Sequence, residues 1–404
     1  MSEQIFSGLK VADFTWAAAG PIMTKQLSDN GATVIKIESR RHPDSVRLGG
    51  PFKDGKPGLN RSGFFADFNS SKLSLAVDLN HARAADVILP LVRWADIVAD
   101  SFRPQVMGRW GFGYDRLREI NPRLIMISSS LYGAEGPWSA HPGFGAQGQA
   151  IAGFHNMTGW PDRPPAVPKG AYTDSVSPRF GAAALVAALI HREQTGEGQF
   201  IELSQTDTGV MFLSPQLLQF QLTGEEAQRD GNADARALLH AVFPCRGEDR
   251  WIAIEAWTET QWSACLEVLS ASGKPDTILG AAAEVRAANR DAVEAAIGRL
   301  TAAREPFELM AALREAGVPA GVALRGSDLL VDDTLRRRGH FWNLTHPEMG
   351  ALDYNGPAYQ FEITPSRLTK AAPCLGEDTA FVLKEILSFD DGQIADLTES
   401  GVLT

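Results

Sequence analysis

One carboxylate stands apart in this chain. In the stretch GAYTDSVSPRFGAAALVAALIHREQTGEGQFIELSQTD, from Gly170 to Asp207, Asp174 sits just ahead of a long apolar run of helical character. An ionised aspartate in a sheltered turn is a competent nucleophile toward an activated acyl group. The free amides and dipole of a following helix N-terminus would hold such a carboxylate anionic and lower its basicity. The bland reading is a helix cap, because Asp is a favoured N-cap residue. A better cap is present, however: Ser177 directly precedes Pro178, and Ser at the N-cap with Pro at the first helical position is a preferred pairing. On that reading the helix runs over 178–193, with Asp174 three residues ahead of its cap. The residue types alone leave cap and nucleophile open as alternatives.

Other constellations are weaker. GFGAQG, Gly143 to Gly148, is a literal G-x-G-x-x-G. A dinucleotide fingerprint needs its first glycine directly after a strand and an acidic residue about 20 positions on. Here the preceding strand pattern ends near Ser130, and Asp162 comes too soon, so a loop of closely approaching glycines is the expectation. The eight histidines form neither H-E-x-x-H nor a Cys/His cluster at metal spacing. A G-x-S-x-G elbow and a Gly-Lys-Ser/Thr phosphate loop are also missing from the sequence. No metal is expected.

Basic and aromatic residues fall in loops after strand-like runs. Arg40 and Arg41 follow TVIKIE, Lys72 precedes LSLAVDL, and Phe102, Arg103 and Arg109 follow IVAD. In parallel α/β sheets, ligands bind outside the carboxyl ends of the strands, so cations there suit a phosphate-bearing ligand, and an aromatic face there suits a purine. Solvated surface charge and core packing account for each of these residues equally well when it is taken singly.

The elements that position these residues are short β-branched runs alternating with helical patterns. Strands are expected at 10–16, 33–38, 73–79, 97–102, 124–130 and 199–204, with helices at 21–30, 82–94 and 178–193. That alternation predicts an α/β chain with a doubly wound, Rossmann-like parallel sheet. After Asp207 the character changes to a helical stretch, a polar run and Ala-rich helices, which predicts a smaller α+β lobe. The expected division is a large lobe over 1–207, a linker helix over 208–225, a small lobe over 226–325, and a tail over 326–404 whose place pattern alone leaves open.

A length of 404 residues fits two lobes. The net charge of −11 disfavours nonspecific attraction to nucleic acid or an anionic membrane. Three widely spaced cysteines indicate neither a disulfide framework nor a structural zinc site, and fit a reducing cytoplasm. Neither a leader-like N-terminal pattern nor an uninterrupted apolar run long enough to span a membrane is expected.

Six stretches in fixed order resemble the family III CoA-transferases, the group of formyl-CoA and carnitine CoA-transferases related to α-methylacyl-CoA racemase. They are LKVADFTWAAAGPIMTKQLSDNGATVIKIE, NSSKLSLAVDLN, the segment from ADIVADSFRP to SSSLYGAEGP, the Asp174 stretch, HAVFPCRGEDRWIAIE and PCLGEDTAFVL. The resemblance implies that Asp174, ahead of Thr195-Gly196-Glu197-Gly198-Gln199, is the nucleophile of reversible CoA transfer to a free carboxylic acid through an aspartyl-CoA thioester. It implies coenzyme A contacts at Lys72, Phe102 and Arg109, with Arg40 a looser candidate, and coenzyme A as a substrate rather than a tightly bound cofactor. It also implies an interlocked homodimer, or a heteromer with a homologous subunit, whose large lobe is built from both chain ends.

Departures from the family pattern narrow these expectations. Ala18 stands where formyl-CoA transferases carry glutamine, Ser101 replaces a strand-end asparagine, and the glycine-rich lid is missing, which disfavours formyl or oxalyl specificity. Phe144 occupies the position of the racemase histidine and cannot carry a proton. The alternatives are a racemase or isomerase of the same fold and a non-catalytic acyl-CoA-binding subunit. Trp16, Tyr132, Phe144 and Trp160 suit a bulky or aromatic acid, with succinyl-CoA as donor, and core packing explains them equally well.

Overall fold

The computed structural model describes residues 3–168, 170–271, 273 and 275–404. Its centre is a six-stranded parallel sheet of β1 (Lys10–Phe14), β2 (Thr33–Glu38), β3 (Leu73–Ala76), β4 (Ile97–Asp100), β5 (Ile125–Ser130) and β6 (Phe200–Ser204), in the order β3-β2-β1-β4-β5-β6. That is the strand order of a doubly wound sheet, and it reverses direction between β1 and β4. The sequence-predicted strands are all present. Three of them are shorter at their carboxyl ends, because residues such as Trp16 and Phe102 have already left the ladder, and two start one residue later.

Strand alternation feeds two separate cores. Val11, Val34, Ile97 and Ile125 point to one face, where Met23 and Leu27 of α1 (Ala19–Ser28) and Leu185 and Ala188 of a long helix pack on them. Phe14, Ile35, Val98 and Met126 point to the other face. There they meet Val87, Ile88 and Leu91 of α2 (Ala84–Trp94) and Leu117 of α3 (Tyr114–Ile120). Burial on both faces is why these strands read as nearly continuous apolar runs.

Val382, Leu383, Leu397 and Val402 belong to that second core. The chain divides into two compact units: Met1–Met157, Ala166–Ala227 and Thr334–Thr404 form one, and Thr158–Pro165 with Gln228–Asp333 form the other. The second unit has an antiparallel sheet of Leu239–Pro244, Trp251–Ala256 and Ala320–Val322, with its own core around Ile252, Ile254, Trp262 and Leu309.

At the carboxyl ends of β1 and β2, six charges lie sealed from water: Asp13, Lys36, Glu38, Asp44, Arg47 and Lys72. Lys72 Nζ donates to Asp13 Oδ2 (3.0 Å), Thr24 Oγ1 (2.7 Å), Asn69 Oδ1 and the Pro21 carbonyl. Lys36 pairs with Asp44 at 2.9 Å, and Arg47 pairs with Glu38 at 2.7 Å. Burial alone would raise the pKa of Asp13, but Lys72 and Lys36 beside it outweigh burial and hold it below the usual carboxylate value.

This position corrects the expected coenzyme A contact at Lys72. With its ammonium enclosed and engaged by four partners, it serves as a buried structural charge. Removing one partner of a buried pair leaves the other uncompensated, so Lys72→Met should lower the unfolding free energy by about 3–5 kcal/mol. Denaturant titration against the parent chain measures it.

Candidate active site

The reversal between β1 and β4 opens a crevice outside their carboxyl ends, where doubly wound sheets hold ligands. The two loops that wall it are stitched together. The Trp16 N–H donates to Ser101 Oγ (2.8 Å), and the Ser101 hydroxyl donates back to the Trp16 carbonyl (3.0 Å). Ala17 follows with φ +64° and donates its N–H to Asp44 Oδ1 at 2.8 Å, which anchors the loop to the buried charges. The Phe102 ring is held edge-on between Trp16 and Trp110, with both centroids at 5.2 Å.

Two cavities meet at these aromatics. One of about 260 Å³ is lined by Glu38, Ser39, His42, Asn80, Arg109 and Trp110. The other, of about 360 Å³, is lined by Ala17, Ala18, Ser129, Phe144, Asp174 and Gln205. Trp16, Phe102, Arg103 and Val106 line both.

Asp174 reaches its cavity from the first turn of α5 (Tyr172–Thr195), behind α4 (Gly145–Ile151). The helix therefore begins six residues earlier than the Ser177–Pro178 signal predicts. Its cap comes from far along the chain: Gln149 Oε1 accepts the Tyr172 N–H at 2.7 Å, while Thr173 Oγ1 donates to the Gly145 carbonyl at 3.0 Å. Pro178 sits inside the helix and has no N–H to give the Asp174 carbonyl four residues back. The buried Ser177 Oγ has no hydrogen-bond partner among the described residues.

GFGAQG turns out to be mostly helix, and its glycines permit close approach. A Cβ on Gly145 would stand 2.5 Å from Asp174 Cγ and 2.6 Å from both carboxylate oxygens. One on Gly148 would stand 2.8 Å from Leu131 Cδ1. Burial pushes the Asp174 carboxyl up to about 6, although a hydrogen bond from the Gly145 N–H opposes the rise. This corrects the expectation of a depressed pKa: desolvation outweighs what the helix start offers.

The structure thus brings Asp174, Phe102 and Arg109 along one cleft. Arg40 is exposed beyond β2 and lines neither cavity, and Lys72 lies in the charge cluster. Of the four aromatics, Trp16 and Phe144 line the Asp174 cavity. Tyr132 packs on Trp138, and Trp160 belongs to the second unit. Sequence reasoning assigned no role to the side chains of His42, Ser129 and Gln205 and did not foresee the close approach of Gly145 to Asp174, although Gly145, Ser129 and Gln205 all lay in stretches that had drawn notice. Among the described residues no group of three or more His, Cys, Asp or Glu is placed to hold a metal ion, and no helix is long and apolar enough to cross a membrane.

Among the described residues, Asp174 is the only carboxylate lining its cavity, and Arg103 is the only other charged side chain there. A lone carboxylate without a proton-carrying partner suits nucleophilic attack better than a two-base proton shuttle. Residues 6–379 match the model of CoA-transferase family III. The chain belongs to this family.

A probable CoA-transferase of Mycobacterium tuberculosis is 31% identical over 98% of the chain, which spans 49% of that relative's length. A mouse succinyl-CoA:glutarate CoA-transferase is 28% identical, covering 98% of this chain and 89% of its own. A CAIB/BAIF family protein from Brucella suis superimposes with a TM-score of 0.86 at 26% identity, covering 95% of this chain and all of that one. Within this family setting the Gly145 contact becomes testable. Gly145→Ala must displace the Asp174 carboxylate, and an ångström of misplacement costs on the order of 100-fold in rate. Steady-state kinetics should show that loss in kcat, with thermal unfolding close to that of the parent.

Proposed function

We propose that the chain transfers coenzyme A reversibly from an acyl-CoA donor to a free carboxylic acid through covalent intermediates on Asp174. The observation that carries this reading is the position of Asp174 as the one carboxylate, among the described residues, of a cavity that continues into an Arg109-lined cavity at the sheet's reversal. Coenzyme A would lie along Phe102 and Arg109 as a substrate, with Arg40 near its outer end. The mouse relative's name points to succinyl-CoA as the donor to try first.

In this mechanism an Asp174 oxygen attacks the thioester carbonyl and the C–S bond breaks, leaving a mixed anhydride and the CoA thiolate. The thiolate attacks the Asp174 carbonyl of the anhydride, forming an aspartyl-CoA thioester and releasing the donor's carboxylate. The acceptor carboxylate then attacks the aspartyl thioester, and the thiolate freed by that step takes the acyl carbon of the new anhydride, restoring Asp174. Every intermediate is an anhydride or a thioester, so the activation of the donor thioester is carried through the cycle and no nucleotide is consumed.

Asp174→Ala should abolish turnover while coenzyme A binding, followed by calorimetry, stays near the parent value. Hydroxylamine added during turnover should leave a hydroxamate on the peptide holding Asp174, visible by mass mapping. Its absence from every peptide, with coenzyme A still bound, would count against the covalent route. Asp174 attacks as the anion and its pKa is about 6. The acylation rate should therefore fall as pH drops through 6 and level off above about pH 7, as single-turnover kinetics across that range would show.

We further propose that two such chains form an interlocked homodimer. Met211, Phe212, Leu217, Leu218, Phe220 and Leu222, in and between Gln205–Met211 and Ser214–Thr223, are all exposed in the single chain, and Leu222 is 83% exposed. A contiguous apolar surface of this kind marks an interaction site. Sedimentation equilibrium should give twice the chain mass of 43.7 kDa, and Leu218→Glu with Leu222→Glu should shift it toward one. The three cysteines are free thiols, which supports a reducing, cytoplasmic setting.

A further inference from the structure

Two side chains of the Asp174 cavity carry polar atoms that no described residue satisfies. Gln205 Oε1 and Ser129 Oγ are buried and have no hydrogen-bond partner among the described residues. Gln205 is 8% exposed and Ser129 2%, and both line the cavity that holds Asp174. Buried polar groups in folded proteins are nearly always paired, so two orphans on side chains that line the same cavity mark a place where a small side-chain adjustment lets a ligand complete them.

The sheet order says which part of the ligand that is. The Arg109 cavity lies over the ends of β3, β2, β1 and β4, since Leu79, Glu38, Trp16 and Phe102 line it. The Asp174 cavity begins at the shared Trp16 and Phe102 and continues to Ser129 on β5 and Gln205 directly after β6. A thioester whose coenzyme A fills the first cavity and whose carbonyl meets Asp174 therefore directs its acyl chain toward β5 and β6.

We propose that Gln205 and Ser129 form an acyl-side subsite for a hydroxyl group on the carbon chain of the transferred acid, a specificity that rests on the transferase reading of Asp174. The chemistry of the pair decides the ligand group. Gln205 Oε1 needs a donor, and the Ser129 hydroxyl has a proton to give. A substrate hydroxyl donates to the first and accepts from the second. An ionised second carboxylate has no proton for Gln205 Oε1, and among the described residues the one cation of the lining, Arg103, is exposed and reaches the Ala140 carbonyl at 3.4 Å. A site built to bond a hydroxyl rejects the analogue lacking it far more sharply than an apolar pocket rejects a missing methylene.

The test compares β-hydroxybutyrate and γ-hydroxybutyrate with butyrate and succinate as acceptors, using the full chain, by kcat/KM and by calorimetric binding in the presence of coenzyme A. A hydroxy acid should exceed butyrate by about tenfold or more. Gln205→Leu and Ser129→Ala should each erase that ratio without lowering the melting temperature, because each removes an unpaired buried polar group. Should Gln205→Leu fail to fold, Ser129→Ala decides. A ratio near one in the parent, or an unchanged ratio in the variants, overturns the subsite. A preference for succinate that Arg103→Ala removes also overturns it. Absence of transfer to every acid overturns the transferase reading instead, and the binding titrations still decide the subsite.

Discussion

The cleft hangs on a cluster of six charges that water never reaches. Asp13, Glu38 and Asp44 face Lys36, Arg47 and Lys72, so the group is neutral as a whole and strongly polar in its parts. Burying such charges costs much of what their attraction returns, and the gain lies in geometry: each member is tolerable only while all the others stay in place. Asp44 spends one oxygen on Lys36 and the other on the Ala17 N–H, which holds the loop after β1 in a left-handed turn. Trp16 is thereby fixed, Ser101 is bonded to it, and Phe102 packs against it. A rigid foundation of charge thus becomes a rigid aromatic gate between two cavities.

Around Asp174 the balance runs the other way. Its carboxyl is largely shut off from solvent, and the hydrogen bond from Gly145 opposes the rise that burial imposes. A carboxylate so poorly solvated is a better nucleophile than one wrapped in water or paired with a cation. It has no ion pair among the described residues, while the nearby charge cluster pairs every carboxylate it contains. The same sheet end therefore shows two treatments of buried acid: full compensation where shape matters and withheld compensation where reactivity matters.

Much of this was legible in advance, and the exceptions share a cause. Strands such as TVIKIE announce themselves because burial on two faces favours β-branched residues such as Val34, Ile35 and Ile37. Asp174 was singled out by its place ahead of an apolar helix, but its helix start was misread, because Ser177 and Pro178 form a local signal and Gln149, 23 residues away, supplies the actual cap. Lys72 was taken for a ligand contact because a lysine at a strand end looks the same whether it faces solvent or Asp13. Gly145 gained its meaning only when the Asp174 carboxylate was found where a methyl group would be. Ser129 and Gln205 carry no sequence signal at all, since an unpaired polar atom is a property of three-dimensional surroundings.

The path of the chain through the sheet bears on the order in which the protein can be made. Val402 is part of the core beneath β2 and β3, its carbonyl accepts the Asp78 N–H, and the Thr404 carbonyl accepts the N–H of Arg40. Residues 228–333, which build a unit with its own core, are synthesised before those partners exist. During translation the inserted unit can finish folding while the unit that hosts the nucleophile still lacks a wall of its core. Until then the apolar edge left open around Ile35, Ile37 and Leu75 is a surface that a chaperone would have reason to hold.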